Sequence, residues 1–486
     1  MKRTPSRGYL MILGLVFGAV FLTVFGGLSM FVLSENRFQT HNEESTEAFA
    51  LAEAGLEYYR WFLAHYPTDL QNGTGVPGPY VLSYNDPEAD VVGTATLDIQ
   101  GNTACGQTIS IDIASTGVPS DATSVSRTIH ARYAQPSVGT YSYVLNDSVW
   151  AGGDRVILGP YHSNGGVRMD GTSNSPVTSS LETWYCGSSY GCGDGQDSGE
   201  IGNPSAGTKA GVFGGGPNQN LWEWPVPQVN FAGISADFGT LKTLAQTEGV
   251  YYPRYSTTNG QGQPAYWRGY HIIFNADNTM TVRHVSATTQ LSVTHVNPYD
   301  TAGYDRALIQ NEAAYETVAI PADCGLIFVE DNVWVEGTIP QKITLVAANV
   351  ANANIAPTAY LSDNIVYETQ DGTDGFTLIA EHNVLIAPDV PQNLTLNGIF
   401  IAQGGAFGMN GYGCNSGYAT KGALTMLGTT VSNRRTGTKW STVCSNGSHK
   451  GFQTRVDSYD RRIAFDPPPF TPVISTDYQF VDWREE

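Results

Sequence analysis

Positive charge is scarce in this chain, and that shortage limits what it can bind. Only 14% of its 486 residues are charged, and 25 Lys and Arg stand against 45 Asp and Glu, for a formal net charge of −20. A surface of that sign repels phosphates, which argues against nucleic acid or an anionic membrane surface as a partner. Chemical signatures are also scarce. There is no Gly-Lys-Ser/Thr phosphate loop and no His-Glu-x-x-His pair, so nucleotide-driven and zinc-protease chemistry have no support and no cofactor is implied. The six cysteines contain no Cys-x-x-Cys pair and have no His at ligand spacing beside them, which argues against zinc. Proline is missing between Pro5 and Pro67, and charge is missing from Tyr9 to Leu33. The two gaps overlap.

What fills them is a long helix. Residues 9–33 are apolar enough and long enough to cross a bilayer, since a helix rises about 1.5 Å per residue and the hydrocarbon core is roughly 30 Å thick. A secretory signal would have an apolar core about half as long, ending in small residues suited to cleavage. This run continues instead through Ser34-Glu35-Asn36-Arg37 into a polar stretch in which Ala48, Leu51, Ala52, Gly55, Leu56 and Tyr59 recur three and four apart. That spacing makes one buried stripe on a helix. A single helix over residues 9–66 is expected, membranous over 9–33 and amphipathic beyond. Lys2, Arg3 and Arg7 precede the span, so the N-terminus should stay cytoplasmic and the rest should lie outside.

Arg7-Gly8-Tyr9, the uncharged helix behind it and the run from Ala48 to Tyr59, with its Ala52-Glu53-Ala54-Gly55-Leu56 core, resemble the N-terminus of bacterial type IV pilins. Within that family the chain is most similar to the minor, PilX-like pilins. The resemblance implies a leader over residues 1–8, cut by a prepilin peptidase between Gly8 and Tyr9. It further implies assembly with major and other minor pilins on an inner-membrane platform, and a pilus or a secretion pseudopilus at the cell surface. One position departs from the pattern. Major pilins have glutamate at the fifth mature position, where this chain has Leu13. A carboxylate in an apolar filament core is costly unless paired, in pilins with the amine of the subunit above. A subunit with none above would have no such partner, so Leu13 fits a tip or priming position. An ordinary single-pass anchor is the plainer alternative. Gly14, Gly18, Gly26 and Gly27 would allow close helix approach or local unwinding.

After Pro67 the period changes. Segments such as Ile109-Ser110-Ile111-Asp112-Ile113 alternate apolar and polar residues, as strands with one buried face do. The expectation for residues 67–137 is a small antiparallel sheet covering the helical stripe, the unit that the pilin resemblance also implies. From residue 138 a repeat emerges. A polar pair ending in Asn precedes a short β-branched or aromatic strand at Asp331-Asn332-Val333, Asp363-Asn364-Ile365 and His382-Asn383-Val384, with looser copies near Asn146 and Asn164. Copies on the order of twenty to thirty residues apart have the scale of solenoid coils, with Asn at the corners able to bond the next coil and to adopt left-handed backbone. The fold class that follows is α+β then all-β: a pilin-type helix and small sheet, then a parallel β-helix (β-solenoid) head over 138–486. A sandwich or jelly roll is the alternative.

Residues 171–323 interrupt the repeat and are expected to form an inserted subdomain, with a helix from Ser235 to Glu248 capped by Ser235 and a hairpin around Asn275–Asn278. Residues 465–486 are proline-rich and read as a strap anchored by Trp483. Six cysteines in an oxidising compartment permit three disulfides. Cys186 with Cys192, then Cys414 with Cys444, are the natural pairs, while nothing in the spacing brings Cys105 to Cys324.

Three kinds of site follow. Some β-helices cleave polysaccharide with paired carboxylates. The candidates here are Asp147, Asp154, Asp170, Glu330, Asp331 and Glu336, with His162 and His382 as proton carriers; the rival view is that they are solvated turn residues. Asp194, Asp197 and Glu200, and less so Asp371 and Asp374, form Gly-rich oxygen clusters suited to calcium but without EF-hand spacing. Trp184, Tyr185, Tyr190, Trp222 and Trp224 are candidates for a surface or carbohydrate ligand, or for buried loop anchors. The reading that joins these features is a membrane-inserted minor pilin whose head serves assembly or adhesion without turnover. The alternative is a membrane-tethered β-helix enzyme.

Overall fold

The computed structural model describes residues 8–66, 69–192, 208–234, 236–258, 264–266, 268–295, 303–352, 354–475 and 477–486. The chain forms two compact units, one of residues 1–102, 110–134 and 479–486 and the other of 103–109 and 135–478.

The first unit is built on α1 (Gly8–His65), one continuous helix of 58 residues and about 87 Å. It passes through Gly26-Gly27 without unwinding. Its last turns are buried as the spacing predicts, with Ala48, Ala52, Leu56 and Tyr59 essentially inaccessible. They pack on an antiparallel sheet of β1 (Tyr80–Asn85), β2 (Val91–Ala104), β3 (Gln107–Pro119) and β4 (Arg127–Ala134). Leu97, Ile111, Ile113, Ile129 and Tyr133 face the helix while their neighbours in sequence face away. The two layers meet closely because side chains are missing where they touch. A Cβ on Gly117 would lie 2.0 Å from the carbonyl oxygen of Ala48, and one on Gly55 would lie 2.4 Å from Ser115 Oγ.

A fifth strand completes this sheet from the far end of the chain. Gln479–Glu485 pairs antiparallel with β4, and Arg127 forms an ion pair with Glu485. The expected strap therefore ends in a strand, and Trp483 meets Phe49 of α1 edge-on at 6.1 Å. Backbone donors along β4 decide this. Left unpaired they would be an open sheet edge.

The second unit is a stack of parallel ladders. One runs through Val250–Tyr252, Leu326–Val329, Lys342–Ala347, Gly375–Ala380, Leu394–Ala402 and Thr420–Ser432, then continues through Tyr143–Leu145, Tyr161–Ser163, Val177–Ser179 and Trp222–Glu223. Parallel pairing throughout removes the sandwich alternative. The order also shows that the coils are not stacked in chain order. The first coils of the head lie on the last ones, beyond Thr420–Ser432, and the chain then has to return to the opposite end to begin Val250–Tyr252.

Residues 224–249 make that return over the outer face of the ladder. Val229, Phe231, Phe238 and Leu241 cover Val144, Val431, Ile401, Ile379, Val346 and Phe328, and Ile463, Phe470 and Ile474 cover more of the same stripe. This is why these strands read as continuous apolar runs: both of their faces are buried. Inside, Phe274, Phe376, Phe400 and Phe407 stack from coil to coil with centroids 5.5 to 6.3 Å apart.

The Asn corners bond as the repeat suggested. The side-chain oxygens of Asn332, Asn364, Asn383 and Asn393 accept from the backbone N–H of Thr358, Thr395, Ala406 and Ala423 in the following coil. They do so without left-handed backbone, which among non-glycine residues appears at other positions, such as Asn218 and Asn278.

Residues 171–323, expected as a subdomain beside the solenoid, supply coils at both of its ends. Thr172–Ser173, Val177–Ser179 and Trp222–Glu223 extend one end, and Val250–Tyr252 and Gly269–Phe274 form the other. The long antiparallel pair Thr279–His295 and Tyr304–Ala319 departs from the stack, as do the short antiparallel pairs Thr183–Tyr185 with Thr208–Ala210 and Ser256–Thr258 with Pro264–Tyr266. The helix in this region is Phe238–Thr247, capped by Asp237, which accepts from the N–H groups of Gly239 and Thr240; Ser235 lies outside the described residues. Disulfides join Cys186 to Cys192, Cys414 to Cys444 and also Cys105 to Cys324. The last pair spans 219 residues, and only the fold brings it together.

Candidate functional site

Two features stand out, one in each unit. The first is the N-terminal part of α1. Residues 9–33 are exposed along their whole length, and the helix is long and apolar enough to cross a membrane. Gly14 and Gly18 lie one helical turn apart on one face, and a Cβ added to either, or to Gly26 or Gly27, would meet nothing within 4 Å. Glycine inside a helix costs about 1 kcal/mol relative to alanine. No described residue lies close enough to repay that cost, unlike at Gly55 and Gly117, where a Cβ would clash with the facing layer. Leu13 is half-exposed on the same surface. Residues 1–7 lie outside the described residues, and Gly8 and Tyr9 stand in the first turn of α1.

The second feature is a cavity of about 350 Å³ in the head. It opens where a ladder is interrupted. Val333–Ile339, Ala359–Tyr367, Val384–Ile386 and Phe407–Gly408 stack in parallel, the last bridging to Gly437. The strands Val149–Ala151, Val167–Met169 and Val212–Phe213 form a separate three-stranded sheet. Phe407 to Asn410 and Arg435 to Ser441 line the cavity on one side, and Trp150 and Gly152 to Arg155 line it on the other.

Ion pairs hold its floor. Arg155 and Asp457 are both nearly inaccessible and meet at 2.6 Å. Asp457 also accepts from the Tyr143 hydroxyl at 2.9 Å, and the Arg155 guanidinium lies 4.4 Å from the centre of the Tyr143 ring. Burial drives the Tyr143 phenol far above its usual range, and the Asp457 charge holds the Arg155 guanidinium protonated despite its own burial. Asp154 takes both Nε and Nη2 of Arg455 at 3.0 Å, with Lys439 at 3.4 Å. Burial pushes its carboxyl up, but the Arg455 and Lys439 charges outweigh this and hold it below the usual carboxylate range.

The carboxylates named from the sequence are not assembled into an acid–base pair. Asp154 is the one acidic residue that lines the cavity among the described residues, whereas glycoside cleavage needs two. Asp147 accepts from the backbone N–H of Ser148 and Arg435. Asp170 binds Trp150 Nε1, Arg168 and the N–H of Gly215. Glu330 is buried and accepts from Lys242 and the Tyr251 hydroxyl, both at 2.6 Å. Asp331 faces Arg254 at 3.5 Å, and burial pushes its carboxyl up. Glu336 lies 3.7 Å from His271. His162 is buried between Thr178 and Asn164, its pKa lowered by that burial, and His382 contacts Asn383. These groups belong to different corners of the stack and are committed to structural partners.

The other candidates divide in a similar way. Asp194, Asp197 and Glu200 lie outside the described residues. Asp371 and Asp374 accept from Thr369 and Thr373 within their own loop. Trp184 is buried against the Cys186–Cys192 disulfide, 5.1 Å from Tyr190 and 5.8 Å from Phe213, and Trp222 packs on the solenoid core. Tyr185 lies in the short strand Thr183–Tyr185, and Trp224 is 38% exposed. The string Gly187-Ser188-Ser189-Tyr190-Gly191 has the spacing of a serine-hydrolase elbow, but it sits on a 3₁₀ turn inside the disulfide loop and not between a strand and a helix. Sequence reasoning missed the cavity itself. Its only local signal is a basic run, Arg434, Arg435 and Lys439, in a chain poor in such residues.

No family model matches the chain, and no curated protein does. Among solved structures, the crystal structure of the competence-associated pilin ComZ from Thermus thermophilus is similar over 91% of this chain and 97% of that one, at 12% identity and a TM-score of 0.29.

Proposed function

We propose that this chain is a minor subunit of a type IV pilus or a related pseudopilus, anchored and assembled through α1 and displaying its β-solenoid head outward. The observation that carries the proposal is the asymmetry of α1. One helix buries its C-terminal stripe under its own sheet and leaves residues 9–33 exposed, with four glycines whose open space no described residue fills. In a bilayer the first half is a single membrane span with a cytoplasmic N-terminus. In a filament the same surface packs against other pilin helices, where small residues let backbones approach. On this reading prepilin peptidase cuts between Gly8 and Tyr9, an inner-membrane platform extrudes the subunit, and major and other minor pilins are its neighbours. Leu13 supports a tip or priming position, because a subunit with none above it has no amine for a carboxylate to pair with. The head then serves assembly or surface adhesion.

The test is the N-terminal residue of the mature protein, read by mass spectrometry from membrane and sheared-surface fractions. A chain beginning at Tyr9 in sheared filaments is the expected result. A chain that keeps residues 1–8 and stays in the membrane would sink the reading and leave a tethered solenoid.

A further inference from the structure

We propose that the head cavity between Phe407–Asn410, Arg435–Ser441 and Trp150–Arg155 is a binding site for a carboxylate-bearing sugar, such as the uronic acid at the end of an acidic glycan. The proposal does not depend on how the chain is anchored.

Three observations converge on it. The first is charge. In a chain of net charge −20 with only 25 Lys and Arg, this cavity is lined by Arg155, Arg435, Lys439 and Arg455 but by a single carboxylate, Asp154. Asp457 behind Arg155 takes up one further charge, which leaves two cations in excess among the described lining residues. Asp147, which bonds the backbone N–H of Arg435, stands beside the cavity and offsets part of that excess. The Arg435 guanidinium lies over the Tyr190 ring, 4.1 Å from its centre, and donates to the Ser189 carbonyl oxygen. With acidic surface around it, a basic cavity focuses field lines and concentrates small anions.

The second observation is the wall. Trp150, Trp440 and Phe407 line the cavity together with the backbone of residues 408–410 and 436–438. Aromatic rings beside polar backbone groups suit a sugar, which has an apolar C–H face and a hydroxyl rim. The third is an unsatisfied group. Thr436 lines the cavity, and its hydroxyl is buried without a hydrogen-bond partner among the described residues. The volume, about 350 Å³, is at the small end of the range of about 300–1,000 Å³ for ligand pockets. It accepts the end of a glycan, not a chain threaded through. No second carboxylate lines it among the described residues, so the geometry points to binding without cleavage.

The test uses the full chain in detergent, titrated with a trigalacturonate oligomer, a neutral maltotriose and a triglutamate peptide, read by calorimetry and tryptophan fluorescence. Saturable binding of trigalacturonate is expected, with maltotriose and triglutamate at least ten-fold weaker. Lys439→Gln removes the charge but keeps a donor for the Gln453 carbonyl, and Arg435→Gln keeps one for Ser189, so both should fold as wild type and each should weaken trigalacturonate binding about ten-fold. Asp154→Asn should strengthen it, a change in the opposite direction that unfolding cannot mimic. Absence of saturable binding overturns the proposal. So does equal binding of maltotriose, preference for triglutamate, or insensitivity to all three substitutions.

Discussion

Replacing Asp457 by leucine is the sharpest probe of how the head is closed. Asp457 and Arg155 lie 302 residues apart, on strands His449–Ser458 and Arg155–Leu158 that pair in parallel where the last coils meet the first. The substitution leaves the Arg155 guanidinium and the Tyr143 hydroxyl buried without their acceptor. Breaking one side of a buried pair costs about 3–5 kcal/mol. Since about 1.4 kcal/mol is a factor of ten, amides along residues 155–158 and 455–458 should exchange with solvent two to three and a half orders of magnitude faster. Amides in Lys342–Ala347, several coils away, should be little changed. Adding Arg155→Met to Asp457→Leu should recover most of the loss, because two apolar side chains need no partner. A single substitution costing under about 1 kcal/mol, or a double variant no better than the single, would refute the view that this pair closes the seam.

Other outcomes follow from the same packing. Gly117→Val should destabilise the first unit by about 1–3 kcal/mol or more, since its Cβ meets the α1 backbone, while Gly14→Ala should leave that unit unchanged; hydrogen exchange over residues 48–62 reads both. Replacing Cys105 and Cys324 by alanine should cost more than replacing Cys186 and Cys192, about 5 against about 2 kcal/mol on loop-closure entropy for spans of 219 and 6 residues, as urea unfolding of the head would measure. His271 lies between Glu312 at 2.8 Å and Glu336 at 3.7 Å; burial lowers its pKa, but the two carboxylates outweigh that and the net shift is upward. A raised histidine contributes stability that is full below its unfolded pKa of about 6.5 and is lost as pH rises through the folded value. Burial lowers His284, which acts in the opposite sense, so the comparison is with His271→Gln: its unfolding midpoint should fall less than that of wild type between pH 6 and pH 9.

Some of this was legible before any coordinates. The helix was, because a gap in charge and proline is a local property and the stripe of Ala48, Ala52, Leu56 and Tyr59 has one period. β2 to β4 were, because alternation along a strand records which face is buried. The Asn corners were, because each coil repeats one local bond. The end of the chain was not: Gln479–Glu485 has no feature that names β4 as its partner, and Trp483 reads as an anchor for any surface. Cys105 and Cys324 were not, since a disulfide across 219 residues leaves no spacing to recognise.

The sequence by itself determined the elements: where helix, strand and corner lie, which faces are apolar, and that residues 9–33 form an uncharged apolar helix long enough to cross a membrane. Tertiary structure alone decided the order of the coils. Parallel strands of similar length and composition can stack in several orders, and the choice fell to the one in which residues 224–249 and 463–474 cover the outer stripe while Arg155 finds Asp457. The cavity and its excess of positive charge are products of that choice, since residues near 150 and near 440 become neighbours only when the first coils close on the last.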